Sequence, residues 1–152
     1  MLPELYTFLI AMTPIGELRA SIPIALSIYQ LPIFTAYFIS IIGNLVPAVF
    51  LVFFLEGISN YLSRRVCFFN RFFAWLFERT RKNHQRKFDI LKQFALVILV
   101  AIPLPFTGAW TGSICAFVFG VPTKKALPLI FIGIIIAGLL VTLTSLEILK
   151  LT

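Results

Sequence analysis

Glu17 and Arg19 stand two residues apart in Thr13-Pro14-Ile15-Gly16-Glu17-Leu18-Arg19-Ala20-Ser21-Ile22-Pro23, the one place where an acid and a base enter a long apolar stretch. An ionised side chain at the centre of a bilayer costs about 2.5–3.5 kcal/mol even on lenient scales, so such a residue needs a purpose. Two apart on a regular helix they point in different directions, so each is expected to have its own partner. At a helix start Glu17 would accept from free backbone N–H groups. As a membrane carboxylate it is also a candidate proton carrier. The guanidinium of Arg19 matches a carboxylate or phosphate with a forked pair of donors, which suits an anionic group; capping carbonyls of another segment explains it equally well.

A second set of polar groups lies in Ile102-Pro103-Leu104-Pro105-Phe106-Thr107-Gly108-Ala109-Trp110-Thr111-Gly112-Ser113. Thr107, Trp110, Thr111 and Ser113 are small or amphipathic donors among Gly108 and Gly112, a composition that fits substrate contact and tight helix packing alike. These stretches hold no His, no paired carboxylates and no cysteine dyad, so the chemistry expected is binding and movement, not bond breaking, and the chain is not expected to be an enzyme. Cys67, Cys115 and His84 lack metal-ligand spacing, so neither a metal nor another cofactor is expected. Glu56 and Glu147 read as interfacial, and Asn44 with Pro47 as a kink with a polar contact.

These residues must be positioned by an all-α integral membrane protein. Of 152 residues 60% are hydrophobic and 12% charged, with a mean hydropathy of +1.00, far from soluble composition. Leu31 to Leu55 and Ala126 to Leu146 are apolar blocks near the length that crosses a hydrocarbon core as helix. The polar stretch before each block is interrupted, at Pro14, Gly16 and Pro23 in the first and at Pro103, Pro105, Gly108 and Gly112 in the second, where a continuous helix is expected to break. From Leu2 to Met12 is enough helix for roughly 16 Å, only to the middle of the core. Both broken stretches are therefore read as re-entrant helical hairpins, each followed by one transmembrane helix.

The two halves also correspond at a spacing of about 90 residues: Pro32 with Pro122, Gly43 with Gly133, and Pro14 with Pro103 after one inserted residue. One crossing per half makes this an inverted repeat. A single transmembrane domain is expected, with a first repeat over 1–56, an amphipathic basic connector over 57–92 and a second repeat over 93–152. Nine of the 13 basic residues fall in the connector, and Lys124 and Lys125 share its face under this topology. The positive-inside rule then makes the connector cytoplasmic in a multi-pass protein of the cell (inner or plasma) membrane. If residues 93–120 crossed as one helix, those lysines would lie opposite and the bias would weaken. The connector's aromatic face and arginines suit a helix lying on anionic headgroups. The net charge of +7 crowds this short loop without a recognition module, which argues against nucleic acid.

The two quoted stretches resemble the signature segments of the small multi-drug export proteins of prokaryotes, over nearly the whole chain. They are distantly similar to the DedA membrane protein group, in which two re-entrant hairpins carry essential acidic and basic residues. The resemblance implies export or translocation of a lipid carrier, although Phe106 stands where a small residue such as Gly would be expected. The expected function is a small secondary transporter or lipid-carrier translocase working by alternating access at the paired hairpins, coupled to protons through Glu17. Its expected partners are membrane lipid, a small-molecule or lipid substrate with an anionic group, and a second copy in a homodimer. The competing reading is a non-transporting assembly or interaction protein whose connector docks partners or anionic lipid.

Overall fold

The computed structural model describes residues 2–65, 85–102 and 107–151. Six helices form among them: α1 (Leu2–Met12), α2 (Glu17–Ser27), α3 (Ile33–Arg65), α4 (Gln85–Ala101), α5 (Ala109–Val118) and α6 (Thr123–Leu151). No strand occurs among the described residues. Pro3 and Glu4 in the first turn of α1 suit a helix start, where an N–H is unpaired anyway and negative charge meets the dipole. The turn after Met12 is built by Thr13, whose Oγ1 donates to the Ile10 carbonyl at 2.7 Å and accepts from the Gly16 N–H at 3.0 Å. A Cβ on Gly16 would lie 2.6 Å from that hydroxyl and 2.7 Å from the same carbonyl, so only glycine closes the turn this tightly.

Two expected breaks are not breaks. Pro23 lies inside α2. It withholds one backbone donor, yet the helix runs on because α2 is held along its length by α3 and α6, with Ile22 and Ala25 fully buried. Gly112 lies inside α5, where its missing side chain lets Val100 of α4 close in. Pro14 and Gly16 do separate α1 from α2, and Gly108 precedes α5. Pro103, Pro105 and Phe106 lie outside the described residues, as does most of the amphipathic connector. α3 continues through Gly57 to Arg65.

α3 and α6 are long and apolar enough to cross a membrane, over Ile33–Ile58 and Thr123–Lys150. Their outward faces carry Phe34, Phe38, Phe50, Phe53, Leu139 and Leu143 as exposed as ordinary surface residues. A helix apolar on all sides has no water-facing stripe and suits a lipid surround. The buried core lies where these two helices meet the short ones, around Ile22, Ile41, Leu96, Val100, Ile130 and Ile134.

The packing has the same plan in each half. α1 lies on α3 and α4 on α6, while α2 reaches across to α6 and α5 to α3. A Cβ on Gly43 would meet the Phe8 carbonyl at 2.7 Å and the Ala11 Cβ at 2.8 Å. At Gly133 it would meet the Val97 carbonyl at 3.2 Å and the Val100 Cβ at 2.6 Å. Val97 and Val100 stand 89 residues after Phe8 and Ala11, the same offset as Pro103 from Pro14. The stops after the short helices also correspond. Gln30 and Gly120 both take left-handed φ, 50° and 66°, and in each a backbone N–H just beyond reaches back into the helix, Leu31 to the Ala25 carbonyl and Val121 to the Ala116 carbonyl, both at 2.9 Å.

Gly43→Ala should therefore destabilise the protein by about 1–3 kcal/mol through overpacking against α1, outweighing alanine's better helix propensity. Gly57→Ala meets nothing within 4 Å and should be neutral or slightly stabilising. Thermal unfolding of the two variants in one detergent compares the effects directly.

Candidate functional site

The turn between α1 and α2 and the start of α5 meet, although some ninety residues separate them in sequence. Glu17 opens α2 with φ of 43°, a left-handed conformation that non-glycine residues rarely adopt and that marks a site under local strain. Only 4% of Glu17 is exposed. Its Oε1 accepts from the Trp110 backbone N–H at 3.4 Å, so the carboxylate caps the N-terminus of α5 rather than that of its own helix, where the positive dipole end favours it. The indole Nε1 of Trp110 donates to the Met12 carbonyl at 3.3 Å, on the last residue of α1. Arg19 donates through Nη2 to the Thr107 carbonyl.

Three polar contacts thus run between the halves at one level. A fourth lies within the first half: Arg19 Nη2 stands 3.6 Å from Glu17 Oε2. This corrects the expectation that the two side chains diverge. That expectation assumed regular helix through both residues; the left-handed φ of Glu17 swings its side chain out of helical register and back beside Arg19. The guanidinium is 27% exposed and the carboxylate 6%, so the pair sits at the edge of the core with Arg19 on the open side.

A narrow cleft opens on this pair; Glu17, Arg19, Asn44, Thr107, Gly108 and Val141 are among its walls. Its enclosed volume of about 10 Å³ is close to what a single water needs and far below the roughly 300–1,000 Å³ of ordinary ligand pockets, so it admits only groups of water size. Gly108 is the tightest point. Its φ of 140° is accessible to few residues besides glycine, and a Cβ there would overlap the Glu17 carboxylate.

Of the polar residues singled out in the second broken stretch, Thr107 and Trp110 are brought to Glu17 and Arg19. Thr107 contributes its carbonyl, while its hydroxyl donates to the Ile102 carbonyl at 2.7 Å. Ser113 faces away: it is fully buried and donates to the Ala109 carbonyl at 2.7 Å and the Ala48 carbonyl at 3.4 Å, joining α5 to α3. Thr111 is half-buried and does not line the cleft. Asn44, read from sequence as part of a kink, does line it and is 2% exposed. An amide in the middle of a membrane-length apolar helix was the available signal, since such a group is costly to bury without a task. No group of three or more His, Cys, Asp or Glu side chains that could hold a metal occurs among the described residues.

Residues 17–140 match the family described as "Putative small multi-drug export protein". The chain belongs to this family. The matched region begins at Glu17 and contains Arg19, Asn44, Thr107 and Trp110, so every polar cleft-side group of the small multi-drug export protein lies within it, whereas α1 and Val141 lie outside. No curated protein and no solved structure matches the chain. Family membership and the two long apolar helices together identify a membrane protein with a transporter-like role.

Proposed function

We propose that this small multi-drug export protein is a secondary transporter of alternating access, in which α1–α2 and α4–α5 are re-entrant hairpins that enter from opposite faces and meet at their tips. The observation that carries this reading is the cross-contact of the tips, Glu17 on the N-terminus of α5 and Arg19 on the Thr107 carbonyl. Lengths support it: helices of 11, 11 and 10 residues for α1, α2 and α5 span about 15–16 Å each, half a hydrocarbon core. The paired contacts of Gly43 and Gly133 support an inverted repeat, the usual frame for a midplane site. In this arrangement the connector and Lys124 face the cytoplasm, and the turn after Ser27 faces outward.

Glu17 serves as the proton carrier and Arg19 as the holder of an anionic group. Breaking the contacts between the tips separates the hairpins and opens the cleft to one side; loading the site closes it again. The chain offers few helices to enclose a drug-sized cavity, so the working unit is a homodimer. Lipid-carrier translocation uses the same parts, and the substrate test separates the two cargoes.

Purified protein in liposomes should move either ethidium or a fluorescent polyprenyl phosphate when a proton gradient is imposed. Glu17→Gln keeps the shape of the side chain and removes its titration; gradient-driven movement should fall at least a hundredfold while insertion is unchanged. If neither probe moves with or without a gradient, the transporter reading fails. Thiol labelling tests the topology: cysteines at Gln30 and Lys124 should react from opposite faces, and a cysteine at Glu4 from the same face as Gln30. Reaction of Glu4 and Gln30 variants from different faces would exclude a hairpin.

A further inference from the structure

Ser21, Ser40 and Asn44 are all at least 98% buried, and Ser21 Oγ, Ser40 Oγ and Asn44 Oδ1 have no hydrogen-bond partner. Other helical hydroxyls in this chain do not behave so: Thr7, Ser27, Ser113, Thr142 and Ser145 each donate to the carbonyl four residues earlier. Buried polar atoms without a partner are rare in proteins and commonly mark a bound water. Within a bilayer no bulk water relieves them.

Their places form a line. Asn44 and Ser40 are four apart on α3 and share a helix face, and Ser21 stands one turn along α2 from Glu17. α2 and α3 pack together and are joined by the short turn from Ile28 to Pro32. Counted from that turn, Glu17 and Asn44 lie at one level, and both border the cleft. Ser21 and Ser40 lie one helical turn, about 6 Å, nearer the turn. The second half has nothing of the kind: 90 residues after Ser40 and Asn44 stand Ile130 and Ile134, equally buried. The packing therefore works with apolar groups at these two positions of the long helix, and Ser40 and Asn44 need another reason.

We propose that a file of water molecules runs along the α2–α3 seam past Ser40, Ser21 and Asn44 to Glu17, and admits protons to that carboxylate from the face bearing the α2–α3 turn. This rests on the reading of Glu17 as the proton carrier. The ligand is water rather than a metal cation, because Arg19, the charged group beside Glu17 in the cleft, repels a second positive ion. A proton arriving at the outer end passes along the file; each water accepts one proton and releases another, and the last O–H bond forms on the Glu17 carboxylate. The net change is one proton moved from the aqueous phase to Glu17. Asn44 is a positioning residue here, holding through Oδ1 the water next to Glu17.

Two measurements test this without any transported substrate, so they stand even if the transport assay fails. In water-edited solid-state NMR of the full chain in liposomes, magnetisation from water should reach the Asn44 side chain within threefold of the rate at exposed Ser27, and at least tenfold faster than at Ile134. A rate at Asn44 no faster than at Ile134 means a dry seam and overturns the proposal. Displacement of the Asn44 signals by added sodium would assign the site to a metal cation and overturn it as well. The second measurement follows hydrogen–deuterium exchange of the Glu17 carboxyl by infrared difference against Glu17→Gln. Asn44→Leu should slow exchange at least tenfold, and Asn44→Ser, which keeps a polar group for the water, should stay within threefold of the parent. Unchanged exchange in Asn44→Leu would remove Asn44 from the path, and should that variant fail to insert, the NMR result on the parent protein decides.

Discussion

Gly108→Ala should abolish transport and lower the melting temperature more than any other single-methyl change at the site. The residue holds φ of 140°, a conformation whose cost for alanine is on the order of 1–3 kcal/mol, and the added Cβ would occupy the space of the Glu17 carboxylate. The carboxylate would have to leave, giving up its bond to the Trp110 N–H and its place beside Arg19. Together these effects should destabilise the protein by about 2–4 kcal/mol. Thermal unfolding in detergent measures the loss. The double variant Gly108→Ala with Glu17→Ala removes the collision but keeps the backbone strain, so it should recover part of the stability and none of the gradient-driven transport. No recovery would mean that the collision with Glu17 is unimportant.

Arg19→Ala should leave the protein in the membrane and reduce movement of an anionic probe at least a hundredfold. The Thr107 carbonyl loses a charge-assisted donor and Glu17 loses the cation at 3.6 Å. Hydrogen bonds to charged groups contribute about 1.5–3 kcal/mol, and the partial exposure of Arg19 brings the expected loss to about 1–2 kcal/mol. Arg19→Lys keeps a positive charge without the planar fork, so stability should recover more than transport does. Membrane insertion is read by fractionation and transport in liposomes; full transport by Arg19→Ala would dismiss its substrate role.

Much of the architecture was readable where local chemistry dominates. The first helix ends at Met12 because Pro14 and Gly16 follow, and the offset linking Gly43 with Gly133 reappears as matching contacts of these two glycines with α1 and α4. The reading failed where tertiary packing overrides local preference. Pro23 and Gly112 read as breaks, but neighbouring helices hold α2 and α5 through them. The meeting of Glu17 with Arg19 was hidden for a different reason: helical spacing rules give no warning of one residue with left-handed φ. Nor could spacing distinguish Trp110 at the junction from Ser113 turned into the packing, because that choice depends on where α5 begins relative to α1. Asn44 looked like a local kink since its neighbours in space, Glu17 and Thr107, are distant in sequence.

Capping of α5 by Glu17 has a consequence for biosynthesis. The donor at Trp110 lies 93 residues downstream, so at about 5–20 residues per second the ribosome delivers it roughly 5–20 s after the acid itself. Through that interval the nascent N-terminal portion carries an acidic group whose eventual shelter has not been made. Insertion of this chain therefore depends on whatever shields the early helices while translation finishes, and slowing elongation between the two should increase its loss to proteolysis.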